Sequence, residues 1–248
     1  MDTSPSTTTN TPTAVSPTSR RRGGSSFTAW PLWAVAAGVA GFAATVLTDS
    51  RPPAEGRFTD YTVRKADVLT VDQSTLFVSM VLGYLAVVCL LVLAGAWRRH
   101  VESAGRASTA ANVVTFGLVA GAGALALAYG WRGALANYLP GGVDEGAFDT
   151  DGLFVYFMLS DFGPYIAWVP VVVSLGALAW MSLRERVISR WIGALNLFYV
   201  VLIGGAVVVT GVPGLPGTLA APFLAVTGLG LAFGRSAITR PEPAPAAR

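Results

Sequence analysis

The residues best suited to chemistry within the apolar part of this chain are Ser160 and Asp161, which open the sequence SDFGP. An ionisable side chain inside a hydrophobic block usually marks an ion or proton pathway, because its charge is costly to place in lipid. One interpretation therefore makes Asp161 a proton or cation ligand in a cavity. Ser160, Tyr156 and Tyr165 would be its neighbours there.

The other interpretation gives Ser160 and Asp161 a structural role. Counting about 20 residues back from the basic loop at 184–186 places Asp161 at a membrane interface rather than at the bilayer centre. Either side chain would there cap a helix that begins near Pro164, where the missing N–H costs nothing. Because caps are common and buried acids are rare in membrane helices, we favour the cap and keep the ligand as the alternative.

Asn196 is the polar residue of a later apolar run, about one turn beyond Trp191. Amides within membrane helices usually hydrogen-bond a neighbouring helix, so this side chain is expected to join helices rather than to bind substrate. The candidate polar site predicted from the sequence therefore comprises Asp161, Ser160, Tyr165 and Asn196.

An acidic loop precedes the SDFGP sequence. It contains Asp144, Glu145, Asp149 and Asp151. The DTDG sequence at 149–152 resembles the start of a calcium loop, but the downstream glutamate of such loops is missing. We expect a solvated acidic loop. A metal-dependent membrane enzyme is a weaker alternative, and it would require Asp149, Asp151 and Asp161 to lie within a few ångströms of one another.

Several classes of protein are excluded by residues that the sequence lacks. Cys89 is the only cysteine and His100 the only histidine, so one chain cannot form a disulfide or hold a haem between two histidines. The sequence contains no GxxxxGK[ST] and no HExxH, which argues against a nucleotide-driven pump and a zinc protease. We predict no cofactor, no metal and no catalytic residue.

The composition predicts that these residues lie on membrane-spanning helices. Hydrophobic residues make up 53% of the chain and charged residues 12%, and the mean hydropathy is +0.56. A bilayer core about 30 Å thick needs about 20 helical residues, and six apolar segments are long enough. Their ranges are 27–47, 75–96, 109–129, 162–181, 191–210 and 215–233. The fold class predicted is an all-α, polytopic membrane helix bundle, and the sixth segment, interrupted by Pro216 and Pro222, is the least secure.

The charges predict the orientation of this six-helix membrane domain, residues 27–234. Both termini would be cytoplasmic, because 12 of the 17 Lys and Arg residues then lie inside and 5 outside. These basic residues flank apolar blocks instead of forming a stripe, so no nucleic acid partner is expected. The tails at 1–26 and 235–248 are polar or proline-rich and are predicted to be disordered and cytoplasmic.

The sequence MSLRERVISRWIGALN at 181–196, together with AWVP at 167–170, is similar to that of bacterial six-span integral membrane proteins of unknown function. The resemblance covers segments four and five and implies a multi-pass protein of the bacterial plasma (inner) membrane. It carries no catalytic residue across.

Sparse polarity and missing motifs favour a structural, regulatory or accessory role for the chain rather than an enzyme. The alternative is a small transporter or channel for an ion or small solute. The expected partner is the lipid bilayer, with other membrane proteins or a second copy as further candidates.

Overall fold

The computed structural model describes residues 28–49, 51–52, 63–106, 108–234 and 236–239. All regular secondary structure in these ranges is helical, which confirms the all-α prediction. The tail predicted to be disordered at 1–26 lies outside the described residues, as does most of the tail at 235–248.

The described residues form seven α-helices and four short segments of π or 3-10 helix. In chain order the elements are α1 (Leu32–Phe42), a π-helical turn (Ala43–Leu47), a 3-10 helix (Lys65–Thr70), α2 (Gln73–Trp97), a π-helical segment (Arg98–Arg106), α3 (Thr109–Tyr138), α4 (Thr150–Ile166), α5 (Val169–Leu183), α6 (Arg190–Thr210), α7 (Leu215–Phe233) and a 3-10 turn (Ala237–Thr239).

The helices run alternately up and down, with α4 and α5 following each other in one direction. Acidic side chains gather where α2 and α4 begin and α3 ends, and we call this the acidic end. Arginines gather where α2 and α5 end and α6 begins, and we call this the basic end. The acidic residues are Asp72, Asp144, Asp149 and Asp151, and the basic residues are Arg98, Arg99, Arg184 and Arg190.

In the part of the chain that the structure describes, five helical stretches are long and apolar enough to cross a membrane. They are Gln73–Glu102, Thr109–Tyr138, Thr150–Leu183, Arg190–Thr210 and Leu215–Phe233. The third has 34 residues and contains both α4 and α5. These stretches identify the chain as a multi-pass membrane protein by length and composition.

The helical lengths of the first and last predicted segments differ from what the sequence indicates. The last segment forms 19 continuous residues of α7, with Pro216 in its first turn, where a proline is tolerated, and Pro222 inside the helix. The first segment contains only 11 α-helical and 5 π-helical residues, which together extend about 24 Å. The first helix, rather than the last, is therefore the short one.

The predicted start of segment four at residue 162 is wrong, and so is the capping role of Ser160 and Asp161. The helix begins at Thr150, and its cap is Asp149, whose carboxylate accepts a hydrogen bond of 2.9 Å from the Gly152 amide. It continues through both residues and through Pro164 as far as Ile166.

The break in this span comes later, at residues 167–168, and Pro170 lies in the first turn of α5. Of Pro164 and Pro170, only Pro170 lies at a helix start. The first is accommodated inside α4, where the backbone bond that it removes is replaced by a bond from another helix, described below.

The first and last helices pack closely because small residues face each other. A Cβ atom on Gly38 would lie 2.4 Å from the Ala221 carbonyl oxygen, and one on Gly228 would lie 2.8 Å from that of Pro31. The Thr28 amide also donates to the Ala232 carbonyl, at 3.3 Å. Helix α1 is therefore held against α7 by backbone-to-backbone contact that no larger side chain permits.

A second, smaller core lies at the acidic end, beyond the main one. Val68 of the 3-10 helix packs there with Leu76, Leu135 and Leu153. With 30 residues, α3 extends about 45 Å and exceeds a 30 Å hydrocarbon layer. Its last turns and the first half of α4 therefore form a cap over this end of the bundle.

The contact between α1 and α7 predicts the effect of a single methyl group. Gly38→Ala should lower the free energy of unfolding by about 1–3 kcal/mol, because the new Cβ meets backbone atoms that cannot move aside. Gly204→Ala is the matched control, since no atom lies within 4 Å of its added Cβ. Thermal unfolding of both purified variants measures the difference, and equal melting temperatures would contradict the packing described.

Candidate functional site

Two irregularities in the helices release backbone carbonyls at the same level of the bundle. In the π-helical turn the Thr48 amide bonds the Ala43 carbonyl, five residues back, so the Ala44 carbonyl loses its α-helical donor. In α4, Pro164 has no N–H to offer the Ser160 carbonyl, four residues back. Both oxygens need other donors, because a buried unpaired carbonyl is costly.

The Thr48 hydroxyl donates to the Ala44 carbonyl at 2.8 Å, and Arg132 of α3 supplies further donors to both oxygens. Its Nη1 donates to the Ala44 carbonyl at 2.5 Å and to the Ser79 hydroxyl at 2.6 Å, and its Nε donates to the Ser160 carbonyl at 3.2 Å. Ser79 also donates to the Ala44 carbonyl, at 2.8 Å. One guanidinium thus joins α3 to the π-helical turn, to α2 and to α4.

The position of this guanidinium is unusual for a charge. Arg132 is 1% exposed. It lies about 35 Å along the helix axis from Thr109, so in a bilayer it would be near the acidic-end boundary of the hydrocarbon layer. The carboxylates of Asp49 and Asp161 interact with it electrostatically.

A second set of hydrogen bonds adjoins the first in the π-helical turn. The hydroxyls of Thr45 and Tyr129 lie 2.7 Å apart, and the Trp168 indole N–H donates to Thr45 at 3.2 Å. All three side chains are buried. This set ties the turn to α3 and to the break between α4 and α5, which explains why a tryptophan lies in the middle of the long span.

Asp161 lies at the exposed edge of this cluster and pairs with Arg51. The Arg51 Nε donates to its carboxylate at 2.7 Å, and the exposed fractions of the two side chains are 38% and 17%. Burial works to lower the pKa of Arg51, but the hydrogen bond to Asp161 and the charges of Asp161 and Asp49 outweigh it and raise that pKa. The pair is therefore a salt bridge that is partly open to solvent.

The structure brings together three of the four residues of the predicted site. Ser160 contributes its carbonyl, while its hydroxyl donates to the Phe157 carbonyl at 2.9 Å. Tyr165 lies one turn further along α4 and interacts electrostatically with Arg51 and Arg132. We call Arg51, Arg132, Ser160, Asp161 and Tyr165 the arginine cluster.

Asn196 does not belong to the arginine cluster. Its Oδ1 accepts a hydrogen bond of 3.0 Å from the Thr227 hydroxyl of α7. It therefore joins α6 to α7, in keeping with the bonding role favoured by the sequence. Its Nδ2 is buried without a hydrogen-bond partner among the described residues.

Three of the four carboxylates of the acidic loop have separate partners. Asp149 caps α4, Asp151 pairs with Lys65 at 2.7 Å, and Glu145 accepts from the Gly141 amide at 2.9 Å. No group of three His, Cys, Asp or Glu residues in the described ranges could hold a metal ion. The convergence on Asp161 that a metal-dependent enzyme needs is not found there.

Arg132 is the residue that sequence reasoning missed. The third segment was expected to end at residue 129 once it had reached bilayer length, so Arg132 was counted as part of a loop. The apolar residues that continue as GALANYL at 133–139 are the signal that would have found it. A charge followed by a further apolar run is inside a helix, and the argument applied to Asp161 applies to it equally.

Comparison of the chain with protein families, with curated proteins and with solved structures finds no match.

The bonds of Arg132 predict that its loss is far more harmful than the loss of Arg51. Arg132→Met should lower the free energy of unfolding by at least about 2 kcal/mol, because each hydrogen bond from a charged donor contributes about 1.5–3 kcal/mol. Arg51→Met should cost at most about 1 kcal/mol, since its ion pair is partly exposed.

Arg132→Lys should fall between the wild type and Arg132→Met, because one ammonium cannot reach acceptors on three helices as a planar guanidinium does. Melting temperatures of the purified variants in one detergent give the ranking. Equal losses for Arg132→Met and Arg51→Met would contradict the central position given to Arg132.

Proposed function

We propose that this chain is a six-span protein of a bacterial plasma membrane with a structural, regulatory or accessory role and no catalytic centre of its own. The observation that carries this proposal is the hydrogen bonding of the buried Arg132 side chain. Its donors are directed at backbone and serine oxygens of other helices. A buried charge engaged in this way holds helices together and is not presented to a substrate.

Other polar side chains of the bundle are engaged in the same way. The Ser174 hydroxyl of α5 donates to the Val114 carbonyl of α3 at 3.0 Å. The Tyr199 hydroxyl of α6 donates to the Pro216 carbonyl of α7 at 3.0 Å. Hydrogen bonds of this kind join transmembrane helices where apolar surface alone gives no preference for protein over lipid.

The six-span arrangement requires α1 and its π-helical turn to cross the membrane with about 24 Å of helix. A short span of this kind is tolerated where the bilayer thins locally or flanking residues reach the interface. With α1 crossing, the basic end and both termini face the cytoplasm, in agreement with the distribution of Arg and Lys.

Labelling of single cysteines tests this topology in a Cys89→Ala background. Val143, which is 89% exposed at the acidic end, should react as Val143→Cys with an impermeant maleimide on intact cells. Arg99→Cys at the basic end should react only after permeabilisation. Ser4→Cys should behave like Arg99→Cys if α1 crosses the membrane, and like Val143→Cys if it does not.

A small transporter or channel is the second candidate, and the Asp161–Arg51 pair is the observation that favours it. A partly exposed salt bridge next to a buried guanidinium could open to admit a proton or small ion. Such a protein should conduct protons or a monovalent cation when reconstituted in vesicles that hold a pH-sensitive or ion-sensitive dye.

Asp161→Asn distinguishes the two candidates, with Asp151→Asn as the matched control. Both substitutions remove a charge from a 2.7 Å ion pair, but the Lys65–Asp151 pair lies on the exposed surface. A carrier should lose its flux in Asp161→Asn alone, with an unchanged yield of folded protein. A structural protein should give no flux above that of protein-free vesicles, even as the wild type.

A further inference from the structure

An open groove lies between α5 and α6 towards the basic end, well away from the arginine cluster. Its volume is about 370 Å³, and its lining residues are Gly176, Ala179, Trp180, Leu183, Arg184 and Leu197. The α5 residues among them recur every three or four positions and so form one face of the helix. Leu197 forms the opposite wall from α6.

The groove exists because its floor is made of small residues. A Cβ added to Gly176 would find its nearest neighbour, Val200, 3.8 Å away, so space remains above this position. The larger side chains stand at the sides, where Trp180 is 58% and Leu197 45% exposed. In a bilayer this apolar groove would face lipid tails.

One end of the groove carries positive charge. Arg184 follows the last residue of α5, Arg186 lies in the connection to α6, and Arg190 is the first residue of α6. The acidic residue of this connection, Glu185, accepts a hydrogen bond of 3.0 Å from Ser108. Within the ranges that the structure describes, Arg184 makes no ion pair within 4.0 Å.

The dimensions match one half of a bilayer. From Gly176 to Arg184 the helix rises about 12 Å, which is most of the roughly 15 Å thickness of one leaflet. A groove that is cationic at the interface and apolar towards the midplane has the two chemical parts of a phospholipid in their natural order. Free phosphate would use only the first part.

We propose that this groove binds one anionic diacyl phospholipid. Its phosphate lies against Arg184, Trp180 packs at headgroup level, and an acyl chain lies along Leu183, Ala179 and Gly176. Basic pockets between transmembrane helices select anionic headgroups in this way, and tryptophans favour the interface. The site is independent of the function proposed above, because it shares no residue with the arginine cluster.

The test uses the full chain, purified in detergent and incubated with phosphatidylglycerol or phosphatidylcholine of identical acyl chains. Native mass spectrometry measures the fraction of protein that retains one lipid. The wild type should retain phosphatidylglycerol preferentially. Arg184→Gln should weaken that retention about fivefold, the effect of removing about 1 kcal/mol of attraction, while Arg99→Gln, at the same end but outside the groove, should not.

Gly176→Leu fills the groove and should remove the lipid without loss of fold, because its side chain enters open space. Gly204→Leu is the matched control, since it adds the same side chain where no atom lies within 4 Å. Unchanged melting temperatures show that both variants are folded. Retention equal to the wild type in Gly176→Leu, or an equal loss in Gly204→Leu, would overturn the proposal in favour of a general lipid belt.

Discussion

The bundle depends on a reciprocal need for hydrogen bonds between Arg132 and two carbonyl groups. A buried guanidinium requires oxygen acceptors, and it donates to the carbonyls of Ala44 and Ser160, whose α-helical donors are removed by a π-helical turn and by Pro164. An unpaired buried carbonyl and an unpaired buried charge are each costly. Together they satisfy one another, and four separate parts of the chain are thereby brought into register.

The features that could be predicted from the sequence are those that do not depend on the hydrogen bonds of Arg132. Apolar length and the absence of strand patterns suffice for an all-helical, multi-pass fold, since these depend on composition alone. The bonding of Asn196 to a neighbouring helix was also predictable, because an amide in an apolar helix has few other options.

The start of the fourth helical segment was not predictable in the same way. Pro164 in the first turn of a helix and Pro164 inside a helix are both allowed locally, and the choice depends on whether the released carbonyl finds a donor. That donor is a side chain 28 residues earlier in the chain. Arg132 lies in a helix only if the third segment is longer than the bilayer requires. A rule that gives the minimum length of a span does not predict that extra length.

The contact between α1 and α7 has a consequence for the order in which the protein can be made. About 180 residues separate Gly38 from Ala221, the residue that it packs against, so at roughly 5–20 residues per second α1 waits about 10–40 s for its final neighbour to leave the ribosome. During that time its glycine face is open to other apolar chains. The first helix of this bundle is short, and its packing partner is synthesised last. Correct assembly therefore requires α7 to be synthesised before α1 associates with another apolar chain.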